Sequence, residues 1–391
     1  MSRVLDRPLS SRVVTTIAGA EALAGAWDDL AVASARPLSA PAWLLAWWRT
    51  MAPEGAELRL VAVEDGDRLV GLAPYLVVRR SRLAHYLPLG GPDMGVRNTP
   101  LAEPGMEVPV ARAVALALAG CSPRPSIVAL DQVDAGSPWP MLLRRAWPGA
   151  LAPRLERVRT APAPTLHLDT ASYEEWLASK SSNFRQRLRR DGRKLSEAGA
   201  RTSLVGSPAE LEQALDHFRR LHGDRWGDST SLADDAGHRM MLEAGLALLP
   251  AGRFRVWIID IDGAPVTVQI FVAAGGEVTY WNGGWDPQYS SLSPAMLGIC
   301  AGIEDAFARG ERRVDFGEGD HHYKTRLADH DEDIEWYRLL PRTRGYGTTL
   351  LVTAPPRLRA LARAGIDRLP GPLRARLGSA ARRDGGDGED A

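Results

Sequence analysis

Ten consecutive residues, Asp315-Phe316-Gly317-Glu318-Gly319-Asp320-His321-His322-Tyr323-Lys324, hold three carboxylates, two imidazoles, a phenol and an ammonium. Glu318, Asp320 and His321 are groups that can take a proton from a reacting centre, while Tyr323 and Lys324 can steady negative charge as it develops. Neighbouring side chains on a strand point to opposite faces, so His321 and His322 cannot converge on one ion. No further His or Cys completes a regular ligand spacing either, so the expectation is proton-transfer and charge-stabilising chemistry without a metal.

Two other segments carry chemistry. Lys180–Lys194 (KSSNFRQRLRRDGRK) sets seven cations against one acid, Asp191, for a net +6 over fifteen residues. On a helix that is either a solvated face or a contact for the phosphates of a cofactor, a carrier arm or an RNA end. Tyr280–Met296 (YWNGGWDPQYSSLSPAM) reads as a strand ending in Asn282-Gly283-Gly284, a loop through Asp286-Pro287 and a helix opening at Ser293-Pro294. The free N–H groups of a helix start attract anions.

The elements that must position these groups follow from periodicity and caps. In the first half, helices are expected over 21–31 and 41–51, the latter (PAWLLAWWRTM) with Ser39 as its cap and with Trp43, Trp47 and Trp48 on one core-packing face. ELRLVAVE (57–64), Asp65-Gly66 and 69–79 predict a hairpin. A helix at 110–120 and a strand at 126–130 follow, and 148–164 reads as a connector because Pro and Arg recur there without period. In the second half, Ser172/Glu175 and Ser207/Glu210 have capping-box spacing, the second with Pro208 at the first helical position. A helix at 238–249 precedes strands at 253–260, 265–273 and 277–282. An amphipathic helix then runs from Ser293-Pro294 to Gly310, before strands at 312–316 and 335–340. The two Asp-Gly hairpins lie 197 residues apart (65 to 262), which suggests one α/β unit used twice.

Composition bounds the partners. The chain has 391 residues, enough for two domains, with 48 basic and 48 acidic side chains and no net charge, which argues against a dedicated nucleic-acid binder. Only three of the basic residues are lysine (Lys180, Lys194, Lys324), a skew that fits a GC-rich genome. Cys121 and Cys300 cannot build a disulfide framework, and a reduced compartment fits. The first sixteen residues offer no apolar signal region and no stretch of 18 apolar residues occurs, so the expectation is a cytoplasmic protein without membrane insertion. From Ala354 to Arg383 eight Arg stand against one Asp, and the last eight residues hold four acids, the pattern of a basic helix with a disordered tip.

Residues 253–327 resemble the acyl-donor half of a GNAT acyltransferase, in the CelD/BcsL-like acetyltransferase branch related to the FemAB aminoacyl transferases. The matching pieces are the Asp286-Pro287 loop, Ser293-Pro294 before a helix, and a strand running into Asp315-Phe316-x-x-Gly319-Asp320-x-x-Tyr323-Lys324. The segment Asn183–Arg190 and the Trp-rich PAWLLAWW are similar to further parts of that family. The resemblance implies an α/β fold of mixed α+β sheets in two tandem GNAT-like domains, 10–165 and 166–345, the second catalytic, with a basic helical tail at 354–391. It implies an N-acyltransferase that moves an acyl group from a thioester, acyl-CoA such as acetyl-CoA, to a primary amine of a small molecule, sugar or peptide. Tyr280, Trp281, Asn282, Ser290, Ser291 and Ser293 would lie along the donor, and Asn183, Arg185, Arg189, Trp285 and Asp315 along the substrate. Lys324 matches the motif lysine associated with stabilising the transferring acyl group. The usual phosphate loop, Arg/Gln-x-x-Gly-x-Gly/Ala, is replaced by Gln288-Tyr-Ser-Ser-Leu-Ser-Pro294. An acyl-carrier protein or aminoacyl-tRNA as donor, and a non-catalytic binding scaffold, therefore stand as alternatives.

Overall fold

The computed structural model describes residues 9–354, without 81, 92, 93, 98 and 227–231 and without the side chains of 224–226. The expected basic tail lies outside the described residues from 355 onward. The first half contains β1 (Ser10–Val14), α1 (Ile17–Glu21), α2 (Ala24–Ala33), α3 (Pro41–Met51), β2 (Glu57–Asp65), β3 (Arg68–Arg80), β4 (Leu83–Pro88), β5 (Leu101–Ala102), α4 (Glu107–Gly120), β6 (Ile127–Asp134), α5 (Trp139–Ala146) and β7 (Arg154–Pro162). The second contains β8 (Thr165–His167), α6 (Tyr173–Ser179), α7 (Ser182–Glu197), β9 (Arg201–Leu204), α8 (Pro208–Trp226), α9 (Asp235–Leu248), β10 (Phe254–Ile261), β11 (Ala264–Ala274), β12 (Glu277–Trp285), α10 (Pro294–Ala308), β13 (Arg313–Asp315), α11 (His322–Leu327), β14 (Asp333–Leu340) and α12 (Tyr346–Thr353).

These strands form two mixed sheets, one ordered β1-β2-β3-β4-β6-β14-β7 with β5 beside β3, the other β8-β13-β12-β11-β10-β9. Both repeat one topology. Three antiparallel pairings (β1·β2, β2·β3, β3·β4 in the first, β9·β10, β10·β11, β11·β12 in the second) are followed by a parallel one, β4·β6 or β12·β13. A parallel pair needs a crossover, and the apolar helices α4 and α10 supply it. The echo between the two Asp-Gly hairpins is thus one of whole units.

The units are not consecutive stretches of chain, which corrects the division into 10–165 and 166–345. β14 leaves the second unit and inserts between β6 and β7, antiparallel to both. In exchange β8, which follows β7, pairs with β13 in the second sheet. The expected connector at 148–164 also contains a strand, β7. It lies at the sheet edge with Arg154, Arg157 and Arg159 exposed, so it shows no apolar alternation to read.

Local signals mostly act where the sequence places them. Ser172 Oγ accepts from Glu175 N at 3.2 Å, and Ser207 Oγ accepts from Glu210 N at 3.3 Å while Glu210 Oε2 accepts from Ser207 N at 3.2 Å. The second hairpin turns on Asp262-Gly263 with φ of 53° and 77°, as a type I′ turn requires, but the first turns on Gly66-Asp67, one residue later than expected, with only Gly66 at positive φ. Ser39 is not a cap. It ends a tight turn at Pro37–Ser39, and α3 starts on Pro41 with no side-chain cap. The helix expected over 21–31 breaks into α1 and α2. Strand β12 runs on past Asn282 to Trp285.

Trp43 and Trp47 are fully buried and Trp48 partly so, which makes this face core. Their cluster joins α3 to α8, α9 and the face of β10 and β11, and Trp43 meets Trp281 edge-on at 4.8 Å. The two units therefore share one apolar core, and each such aromatic contributes several kcal/mol by burial.

Candidate active site

The site begins where β12 and β13 part. Their parallel ladder joins Glu277, Val278 and Thr279 to Arg313, Val314 and Asp315 and then ends among the described residues, while β12 continues through Tyr280 to Trp285 beside β11 alone. The open edge of β12 presents backbone N–H and C=O groups to whatever enters the gap. A bulge sharpens this. Ile270 faces Asn282 and Phe271 faces Tyr280, so Trp281 is the extra residue. A buried chain of hydrogen bonds fixes the segment: Tyr280 Oη donates to Gln269 Oε1 at 2.7 Å, Gln269 Nε2 to Thr267 Oγ1 at 2.6 Å, and Thr267 Oγ1 to Gly284 O at 2.8 Å. A Cβ at Gly283 would stand 2.1 Å from Gln269 Oε1, which explains the glycine there.

Beside the gap, α7, α10 and α11 enclose a cavity of about 200 Å³ lined by Phe184, Arg187, Leu188 and Asp191 of α7, Ser293 and Met296 at the α10 start, and His322, Tyr323 and Arg326 of α11. The α7 residues recur at i, i+3, i+4 and i+7, one helical face. At its floor the buried Asp191 carboxylate accepts from Ser293 Oγ at 2.9 Å and from Arg190 Nε at 3.0 Å, with Arg187 Nε 3.5 Å away. Burial alone would raise Asp191, but the Ser293 hydroxyl and the Arg190 and Arg187 guanidiniums outweigh it and hold the carboxyl below its usual range. Ser293 itself sits in the left-handed region, φ 52°, so that its side chain turns back toward α7.

Two of the scarce lysines hold α11 in place. Buried Lys324 donates from Nζ to the carbonyls of Gly317 (3.3 Å) and Glu318 (2.6 Å), tying down the loop that enters α11. Burial pushes its ammonium down to about 8, against the opposing pull of Asp315 and Glu318. Lys180 Nζ donates to the carbonyls of Leu327 and Ala328, each at 3.0 Å, and so fixes the exit.

The structure brings Tyr280, Ser293 and Tyr323 to the gap and cavity and moves other expected contacts elsewhere. Trp281 points away, donating from Nε1 to Met94 O at 3.0 Å within the shared core. Asp315 lies buried in an ion network between the units, where Arg97 donates to it from Nε at 3.0 Å and to Asp134 from Nη1 at 2.6 Å. Burial would raise Asp315, yet Arg97 and Arg313 keep it low, and neighbouring Glu277 is pushed by burial up to about 7. Arg185 caps α6 through Lys180 O at 3.0 Å, and Asn183 and Arg189 are exposed on another face of α7. Ser290 and Ser291 are exposed on the turn before α10, and Trp285 is half-buried at the end of β12. Glu318 pairs with Arg159 of β7, and Asp320 is exposed. His321 stacks on Tyr323 at 6.2 Å, whereas His322 lines the cavity. Phe184, Arg187, Leu188 and Arg326 carry no individual site role in the sequence, where Met296 belongs to the apolar face of α10 and His322 to the acidic–His–Lys cluster, although the α7 periodicity carries the signal for Phe184, Arg187 and Leu188.

Residues 182–325 match the acetyltransferase (GNAT) domain family. The second unit therefore carries a GNAT acetyltransferase domain, and the first unit repeats its topology. No curated protein matches the chain in sequence. Among solved structures it is similar to FemX, at 11% identity over 88% of this chain and 99% of that one, with a TM-score of 0.59. It is also similar to the C-terminal domain of a putative lysylphosphatidylglycerol synthetase from Agrobacterium fabrum, at 10% identity over 85% and 95% of the two chains, with a TM-score of 0.53. A conserved protein of unknown function from Bacteroides thetaiotaomicron gives 11%, 84%, 99% and 0.51 on the same measures. At these identities the likeness is one of fold.

Proposed function

We propose that the protein transfers an acyl group from a thioester, acyl-CoA in the first instance, to a primary amine. The observation that carries this is the six-residue run of β12, Tyr280–Trp285, left without a β13 partner. An amide-bearing arm can pair with such an edge as an added strand, with its carbonyl beside Tyr280 and Tyr323, whose rings meet edge-on at 6.3 Å. The phosphates would be held by Arg187 and Arg326 on the cavity wall, not by the α10 start, because Asp191 already sets a carboxylate there.

The chemistry asks for few groups. The amine lone pair attacks the carbonyl carbon, the C–N bond forms, the C–S bond breaks, and the proton lost by nitrogen ends on the thiolate. His322 on the cavity wall is the group placed to relay that proton, with His321, Glu318 and Asp320 on the adjoining loop. Backbone N–H groups of β12 face the developing oxyanion. Lys324 acts as a positioning residue, through the carbonyls of Gly317 and Glu318.

Asp191 also favours a second reading, an aminoacyl ester on tRNA as donor. A helix start occupied by the protein's own carboxylate suits a donor without a pyrophosphate at that point. One assay separates the two: thiol release from acetyl-CoA over a panel of amines, beside transfer from charged tRNA to the same panel. Turnover with the thioester that falls in Arg187→Ala and His322→Ala supports the first reading. Transfer from tRNA alone supports the second, and equal rates in wild type and both variants overturn this placement of the site.

A further inference from the structure

We propose that His167, Asp169 and His330 form a binding site for a divalent first-row transition-metal ion of the zinc class, separate from the acyl-transfer cavity. Nothing in the local sequence announces it, because the histidines stand 163 residues apart, one on β8 and one in the segment between α11 and β14. The β8 ladder brings them together. Thr165 bridges His330, and the two imidazoles lie 4.1 Å apart between centroids. One ligand atom from each of His167, Asp169 and His330 lies within 4.8 Å of the others. Ligand atoms around a tetrahedral zinc stand about 3.4 Å apart, so closure needs only side-chain rotation of exposed Asp169 and His330.

The surroundings favour a cation of this kind. Two nitrogens and a carboxylate oxygen suit zinc and its neighbours and do not suit magnesium or calcium, which prefer all-oxygen sites. His167 Nε2 is 3.0 Å from Glu332 Oε1, which leaves Nδ1 for the ion and reproduces the carboxylate–histidine–metal arrangement that orients a ligand imidazole. Asp329 Oδ1 accepts from the His167 backbone N–H at 3.0 Å and lies 3.7 Å from His330 Nε2. Three carboxylates thus surround two imidazoles, with Arg313 paired to Glu332 as the compensating cation. With three protein ligands, one coordination position is left to water. A bound ion would clip the edge strand β8 to the segment that leaves α11.

The test uses the full chain, stripped with a chelator and titrated with Zn²⁺ in competition with a chromophoric chelator. The expected result is one equivalent bound in the micromolar range or tighter. His330→Ala and Asp169→Asn, both at exposed positions, should weaken it by about tenfold or more, while His217→Ala leaves it unchanged. Thermal melting should show a rise of about 3 °C at a hundredfold excess over Kd in wild type and none in His330→Ala. No saturable binding in the micromolar range, or equal affinity in wild type, His330→Ala and Asp169→Asn, overturns the site.

Discussion

The Ser293 hydroxyl donates to the Asp191 carboxylate across 2.9 Å, so the start of α10 is closed by the one acid of a segment whose other charges are all positive. A helix start carries about half a positive charge, and here the protein supplies the answering anion. Asp191→Asn removes that charge while keeping an acceptor for Ser293. We expect tighter binding of CoA and of inorganic pyrophosphate, on the order of tenfold at moderate salt. Stability should fall by about 1–2 kcal/mol as Arg187 and Arg190 lose their partner. Calorimetric titration checks the first effect, and weaker or unchanged CoA binding would sink this account of the helix start.

Arg187 and Arg326 stand on facing walls of the same cavity, one on α7 and one on α11. If they hold donor phosphates, each change to Ala should raise the donor KM by about tenfold and leave kcat within about twofold, the signature of lost uniform binding. Their effects should shrink at high salt. A fall in kcat at unchanged KM would place both residues in the chemistry instead.

The parts of this arrangement differ in how far sequence betrays them. Capping boxes at Ser172 and Ser207 were legible because each partner lies three residues away. Both hairpins were legible because turn chemistry is local. The exchange of β14 and β8 was not, since pairing between strands distant in sequence leaves no local trace and β7 hides its strand character behind edge arginines. In the site, the motif lysine drew attention for its side-chain chemistry, yet its ammonium is bound to the carbonyls of Gly317 and Glu318. Asp191 was visible as the lone acid of its run, but only the approach of α10 gives it a role.

Arg97 is one of the charges that join the two units, since it contacts Asp134 on β6 and Asp315 on β13. Its guanidinium is buried, and so is the Asp315 carboxylate. Arg97→Met fills similar volume but removes the guanidinium hydrogen-bonded to Asp315 and leaves the more distant Arg313 to offset it, a loss of up to about 3–5 kcal/mol for a broken buried pair. Urea unfolding should show that loss. The double variant Arg97→Met/Asp315→Leu should recover much of it, because no lone buried charge remains.

Lys324 links stability to pH with a definite sign. Its ordinary value is 10.5 and its folded value is about 8, lowered chiefly by burial. Between those two values the unfolded chain carries the proton and the folded chain does not, so unfolding takes up a proton. Stability from this group therefore rises as pH increases from about 8 to 10.5, by up to about 3 kcal/mol, and is flat below that window. Lys324→Met abolishes the titration and lowers stability at every pH, because the carbonyls of Gly317 and Glu318 lose their donor. Urea midpoints measured in steps from pH 7 to 10 should therefore diverge, with the wild type gaining on the variant as pH rises. Parallel curves would mean that the ammonium is solvated and that the entry to α11 is held by something else.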